Sequence, residues 1–395
     1  MRKDTCLSPN SGMLRRPLVP ILAACAAAGL LAGTSWPLVP LALERQGVDK
    51  AVIGIIAAAW GVGMILTAPR IPHLAARFGT VPLIVSAVVV GAAVSVAYTL
   101  TSDPKIWFLL NLTHGAVDGV PWVLSEIWIN IVVDERRRSR AMAIYAILIA
   151  GGMALGPLVL QVVGVYGPLP FLTCAAIALL IAVPLLPHWK TAPPIGPEPG
   201  SGFAAVVLAA PLAMLAAFSS GVGEQVAFSF LPVYAVGSGV APKTGALWLS
   251  VFVIGNLVLQ WPVGWLADRI DRRVVLVGAT LASAALVLLL PLVPAQSPAV
   301  LVIVLLWGGI SFGIYPLGLA LLGQRFQHGD IARANTVFSM LYIGGGLIGQ
   351  PLTGTAMDLL GEAGLGWTLA FFYVVAGISA LVALRRGLKS NRYVE

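Results

Sequence analysis

Along the chain, apolar stretches of about 20 residues or more alternate with short polar segments. They fall at 18–43, 51–69, 80–100, 106–131, 139–163, 167–187, 205–236, 243–266, 273–293, 299–323, 333–357 and 366–385. An α-helix rises about 1.5 Å per residue, so about 20 apolar residues cross the hydrocarbon core. Lipid offers no partner for backbone N–H and C=O groups, and a helix satisfies its own. The two-residue alternation of a membrane β-strand is absent. The pattern predicts an all-α membrane protein with twelve transmembrane helices.

The second half of the pattern repeats the first. Pro40 and Pro232, Gly47 and Gly239, Val48 and Val240, and Arg77 and Arg269 are each 192 residues apart. Arg140 and Arg333, Gly152 and Gly345, and Gly156 and Gly349 are 193 apart. Such an offset implies two pseudo-symmetric six-helix bundles running parallel. Between them, the Pro- and Gly-rich stretch 188–202 reads as a linker. The expected division is a first bundle over 1–187, a cytoplasmic linker over 188–204 and a second bundle over 205–395.

Composition agrees with a membrane chain. Of the 395 residues, 58% are hydrophobic and 10% charged, against about 25% charged in a soluble domain. The net charge of +8 would suggest nucleic acid on a soluble protein, but here the basic residues sit in short loops. With the N-terminus inside, 20 of the 24 basic residues are cytoplasmic, and only Arg45, Lys50, Lys105 and Lys243 face out. That asymmetry places both termini in the cytoplasm, and the cell (inner) membrane is the expected location. Cys6, Cys25 and Cys174 show neither disulfide nor metal spacing. Leu22-Ala23-Ala24-Cys25 resembles a lipoprotein cleavage box, yet the apolar run continues past it to Leu43, so span one is expected to stay intact.

The clearest motif is Gly264-Trp265-Leu266-Ala267-Asp268-Arg269-Ile270-Asp271-Arg272-Arg273, read as the loop between spans eight and nine. It resembles the major facilitator superfamily pattern G-x-x-x-D-R-x-G-R-R, with Asp271 in place of the second glycine. The resemblance implies a cytoplasmic gate in which Gly264 permits close helix approach, Asp268 caps a neighbouring helix, and Arg269, Arg272 and Arg273 pair with acids or lipid phosphates. The alternative is that the arginines only hold the loop inside. The matching first-half segment, Pro72 to Gly79, keeps Arg77 and Gly79 but has Ala76 where the acid belongs. Span five carries Gly152, Gly156 and Pro157, resembling the superfamily's G-x-x-x-G-P pattern found mainly in antiporters; Gly345, Gly349 and Pro351 in span eleven favour plain tight packing. Glu126-Ile127-Trp128-Ile129-Asn130 before an arginine-rich loop, Gln260-Trp261-Pro262, and Tyr315-Pro316-Leu317 resemble one branch of the same superfamily. The resemblance spans nearly the whole chain. It departs at Asn111, which stands four before Gly115 where the superfamily often has arginine.

Three carboxylates fall inside spans: Asp118, Glu126 and Glu224. Each costs about 2.5–3.5 kcal/mol at mid-bilayer on insertion scales, so each needs a cavity, a partner or a proton. Asp118 shares a face of span four with His114, and with Asn111 it is a candidate proton or cation site; a protonated acid hydrogen-bonded between helices is the structural alternative. Glu224 and Gln225, following Ser219-Ser220-Gly221-Val222-Gly223, suggest a loosened helix facing a cavity, against a polar packing patch. Glu126 lies within reach of Arg77 and residues 136–140, including Arg140, and is read as a gate salt bridge, with cargo binding as the alternative. The resemblance puts Trp36, Trp122, Phe228, Tyr234 and Trp307 on cavity-lining helices, as packing or as stacking surfaces for an organic ligand.

No G-x-x-x-x-G-K-[ST] loop is present, so energy must come from a gradient. No hydrolytic constellation or H-E-x-x-H motif supports an enzyme, and no cofactor or metal is implied. The expectation is a monomeric secondary transporter that moves a small-molecule substrate by alternating access, in proton-coupled export, with lipid contacts and no nucleic acid. Uptake or facilitated diffusion, and a non-transporting scaffold or sensor, are the alternatives.

Overall fold

The apolar stretches become helices because each residue removed from water must bury its backbone polar groups within its own segment. A computed structural model describes residues 18–189, 203–326 and 329–391. No strand occurs among them.

The first bundle runs through spans one to six: Leu18–Arg45, Lys50–Phe78, Thr80–Ala97, Pro104–Val132, Glu135–Val163 and Pro168–His188. Pro211–Gly237, Pro242–Arg269, Arg272–Leu292, Pro298–Arg325, Gly329–Leu360 and Ala363–Asn391 form spans seven to twelve. Nine helices among the described residues are long and apolar enough to cross a membrane, or ten with a bent pair counted as one. Spans four and eleven complete the twelve at 29 and 32 residues; their in-span polar groups lower their mean hydropathy.

Three expectations are corrected. Span seven starts at Pro211, and a short helix, Phe203–Ala209, precedes it at a bend of 103°. Pro211 cannot donate an N–H, so it restarts the helix. The stretch Ser219 to Gln225 is regular helix, not a loosened one. The gate motifs are helical too: Ile71–Phe78 is a helix, and span eight runs through Arg269. Of the linker, residues 190–202 lie outside the described residues.

Glycine pairs bring helices together in the same way in both halves. A Cβ on Gly29 would strike the backbone of Ile149, and one on Gly221, 192 residues later, would strike Tyr342. Gly152 and Gly156 meet span one at Ala26 to Thr34; Gly345 and Gly349 meet span seven at Phe218 to Val226. Gly63 and Gly115 join spans two and four, and Gly255 and Gly308 join spans eight and ten. Small residues matter because helices in lipid associate by close packing and not by escape from water.

The halves touch through spans two and eleven, five and eight, and the end of span one with span seven. The hydrogen bonds described between the halves lie toward one end. Asp358 accepts from the backbone N–H groups of Lys50 (2.9 Å) and Ala51 (2.8 Å), capping span two from span eleven. Lys50 Nζ is 2.5 Å from Glu362 Oε1. Gln161 and Lys243 exchange hydrogen bonds to each other's carbonyls, and Ser250 Oγ donates to the Ala154 carbonyl at 2.7 Å. This end is sealed.

Candidate functional site

A cavity of about 560 Å³ lies between the bundles. It is bounded at the sealed end by Gln350 and Ser229, where Gln350 Nε2 donates to Ser229 Oγ at 2.8 Å and to the Gln225 carbonyl at 3.2 Å. At the other end its wall includes exposed Glu126, Gln260 and Leu319, on the side of the arginine motif. Trp261, next to Gln260, is 75% exposed.

At the centre, pseudo-symmetric mates meet. Trp36 and Phe228, 192 residues apart, pack edge to face with ring centroids 4.7 Å apart. Behind them Trp60 lies 5.6 Å from Trp36, and its counterpart Phe252 lies 6.3 Å from Phe228. Pro37, at the break between Leu18–Ser35 and Leu38–Arg45, turns the chain beside Trp36.

Glu224 is 4% exposed and lines this cavity. Ser220 Oγ, one turn earlier, donates to its Oε1 at 2.6 Å, and Tyr342 OH of span eleven donates to its Oε2 at 2.8 Å. Two hydroxyl donors suit an ionised carboxylate, which is acceptor-only. No lysine or arginine stands among the residues that line the cavity. Gln225 holds span eleven at the Tyr342 carbonyl (3.4 Å) and packs against Gly346.

Span four places its polar stripe against spans two and three. His114 Nε2 is 3.6 Å from Asp118 Oδ1, and the Trp60 indole N–H donates to Asp118 Oδ2 at 3.1 Å. His114 and Trp60 line the cavity while Asp118 sits half-buried behind them. Asn111 is tied down: its amide donates to the Ile56 carbonyl at 2.6 Å, and Tyr98 OH donates to its Oδ1 at 3.2 Å.

The gate residues are arranged differently from expectation. Asp271, not Asp268, caps span nine by accepting from the Arg273 N–H at 2.8 Å. Position decides this, because Asp271 immediately precedes the helix start. Gly264 has open space around it and no helix close by. Arg272 reaches the Ala320 carbonyl at 3.3 Å and Arg273 the Ala383 carbonyl at 3.5 Å, both within the second bundle. Arg269 stacks on Trp265 at 4.0 Å and Arg77 on Phe78 at 5.2 Å, each on its own helix. Glu126 makes no ion pair among the described residues, and faces the cavity mouth. Arg140 and Arg333 are exposed near the starts of spans five and eleven.

Sequence reasoning missed Tyr342, Trp60 and Gln350. The one signal for Trp60 was a mid-span indole, whose N–H needs a partner when buried. No group of metal-binding side chains occurs among the described residues.

A twelve-helix protein with a cavity between two bundles, sealed at one end, is a polytopic membrane transporter. The chain belongs to the Major Facilitator Superfamily, which matches residues 21–239 and again 212–390. It is 23% identical to the uncharacterized MFS-type transporter YfkF of Bacillus subtilis, over 89% of this chain and 90% of that one. It is also 23% identical to YcaD of Escherichia coli, over 93% and 94%. The fold is shared with the nucleoside transporter NupG (TM-score 0.74, 15% identity, 92% of this chain and 98% of that one) and with an inward-facing bacterial homologue of the lysosomal transporter Spinster (TM-score 0.74, 14% identity, 96% and 98%). These relatives are transporters, not enzymes.

Proposed function

We propose that the protein is a proton-coupled exporter of a small organic solute in the cell membrane, working as a monomer by alternating access. The observation that carries this reading is Glu224: a buried carboxylate on the cavity wall, held by Ser220 and Tyr342, with no lysine or arginine on that wall and His114 as the one imidazole that lines it. An ionised carboxylate there needs a proton or a bound cation to offset its isolation. The groups facing it are Tyr342, Tyr315 and Tyr373 from spans eleven, ten and twelve, with Glu126 across the cavity, and none is basic. With both termini cytoplasmic, the open mouth faces the cytoplasm and solute loads from inside. Closing that mouth and opening the Lys50–Glu362 end would then expose Glu224 to outside protons. The span-five Gly152, Gly156, Pro157 pattern, similar to that of antiporters, favours exchange over uptake. The His114–Asp118 pair, beside Trp60, Tyr98 and Cys174, is a second proton-carrying candidate.

The test uses proteoliposomes loaded with a pH-reporting dye and given an imposed pH gradient. A solute panel is then screened for compounds that dissipate the gradient. Dissipation by some solutes, lost in Glu224→Gln, supports proton coupling through this residue. Solute flux that ignores the gradient would replace this reading with facilitated diffusion.

A further inference from the structure

The chemistry of the cavity wall is one-sided. Ten of its lining residues are Phe, Tyr or Trp, two are glutamates, and none is lysine or arginine. Its volume of about 560 Å³ suits a drug-sized molecule, in the usual range of about 300–1,000 Å³. Glu224 and Phe228 are four apart on span seven, so they share a face. Trp36 packs on Phe228 and Trp60 on Trp36, giving an aromatic wall that starts one turn from the carboxylate. Glu126, exposed at the mouth, adds a second negative charge on the way in. An anion entering here would meet two carboxylates and no lysine or arginine; the one lining imidazole, His114, stands 3.6 Å from a third carboxylate, Asp118. A cation would meet a carboxylate deep in the cavity and ring faces beside it, whose π-systems attract positive charge.

We infer that the solute this cavity accepts is an aromatic or amphipathic organic cation, whose positive centre lies beside Glu224 and whose apolar part lies on Trp36 and Phe228. The inference rests on the transporter reading and sharpens it. Cargo and proton would compete for the same carboxylate, so one drives release of the other without a separate coupling site. Ser220 and Tyr342 hold the carboxylate toward the cavity and act as positioning residues.

The experiment compares probes of similar shape and different charge on the purified full-length protein in detergent. Tetraphenylphosphonium, tetraphenylborate and neutral triphenylphosphine oxide are titrated while tryptophan fluorescence is read, since Trp36, Trp60 and Trp122 line the cavity. The expected result is saturable quenching by the phosphonium cation, at least about tenfold tighter than by the neutral oxide, with no saturable site for the borate anion. Binding of the cation should weaken as the pH is lowered from 8 to 6, because proton and cation compete for the Glu224 carboxylate. Glu224→Gln should weaken cation binding by about tenfold or more, lower its affinity more than that of the neutral oxide, and reduce its pH dependence. Equal affinity for the oxide and the cation, or tighter saturable binding of the anion, would overturn the inference using the unaltered protein alone. The two readings fail separately. Cation binding without proton-linked flux supports the assigned ligand class and sinks the coupling. Proton-linked flux of a neutral or anionic solute, with no cation binding, keeps the coupling and sinks the ligand class.

Discussion

Glu224 has both carboxylate oxygens satisfied by hydroxyls from different elements, Ser220 on its own helix and Tyr342 across the helix interface. Removing one donor leaves a buried charged acceptor half-paired, at about 1–3 kcal/mol or more. Tyr342→Phe is therefore expected to weaken solute binding at alkaline pH by roughly tenfold while the protein still purifies folded. A binding titration checks this, and unchanged affinity would mean that Tyr342 only packs. In the first bundle, Asp118 is held by the Trp60 indole and stands near His114. Asp118→Asn keeps an acceptor for that indole but cannot release a proton. Transport driven by a pH gradient should fall by about tenfold or more if this pair carries protons. Full retention of pH-driven transport would leave Asp118 a structural group.

Among the helices, glycine contacts set which spans can pair. A Cβ at Gly115 would meet the Trp60 backbone, a position that cannot swing away as a flexible side chain can. Gly115→Ala is expected to cost about 1–3 kcal/mol by overpacking and to lower the melting temperature in detergent. Gly278→Ala and Gly344→Ala, where nothing stands within 4 Å, should stay within about 0.5 kcal/mol of the parent. A melting series on the three variants checks the contrast. Equal effects would show that glycine helix propensity, and not interhelical contact, dominates. Gly264 likewise has nothing within 4 Å of a Cβ.

For the whole molecule, the sealed end decides which face of the membrane the cavity sees. Lys50 links the two halves through Glu362, and Asp358 caps span two from span eleven. Glu44 and the pair Asp358 and Glu362 crowd one lysine, so the latch has little spare positive charge. Losing a helix cap costs about 0.5–2 kcal/mol. Asp358→Ala should shift the population toward the outward-open state by roughly two- to thirty-fold. Electron–electron distance measurements between spin labels at Gln46 and Gln296, both exposed at the sealed end, would report the change as a longer distance. An unaltered distance distribution would place the latch energy in the Gln161–Lys243 and Ser250–Ala154 contacts instead.

Much of this was present in the sequence. Apolar length dictated twelve helices, because lipid leaves the backbone no other partner, and the 192-residue offset dictated two related bundles. The cost of charge in the membrane singled out Asp118, Glu126 and Glu224 before any geometry was known. Helix bends such as the one at Ala210 could be read only loosely, since Pro211 allows a restart at many angles. Only the tertiary structure decided which carboxylates face the cavity: Glu126 and Glu224 line it, and Asp118 stands behind it. Glu224 and Tyr342 are 118 residues apart, and nothing local marks them as partners. The gate arginines show the same limit from the other side: their spacing fixed their place in the chain, but their partners depend on which end of the transporter is closed. Local sequence sets helix and membrane depth through solvation, whereas pairing between distant helices depends on packing and conformational state, which arise only when the bundles assemble.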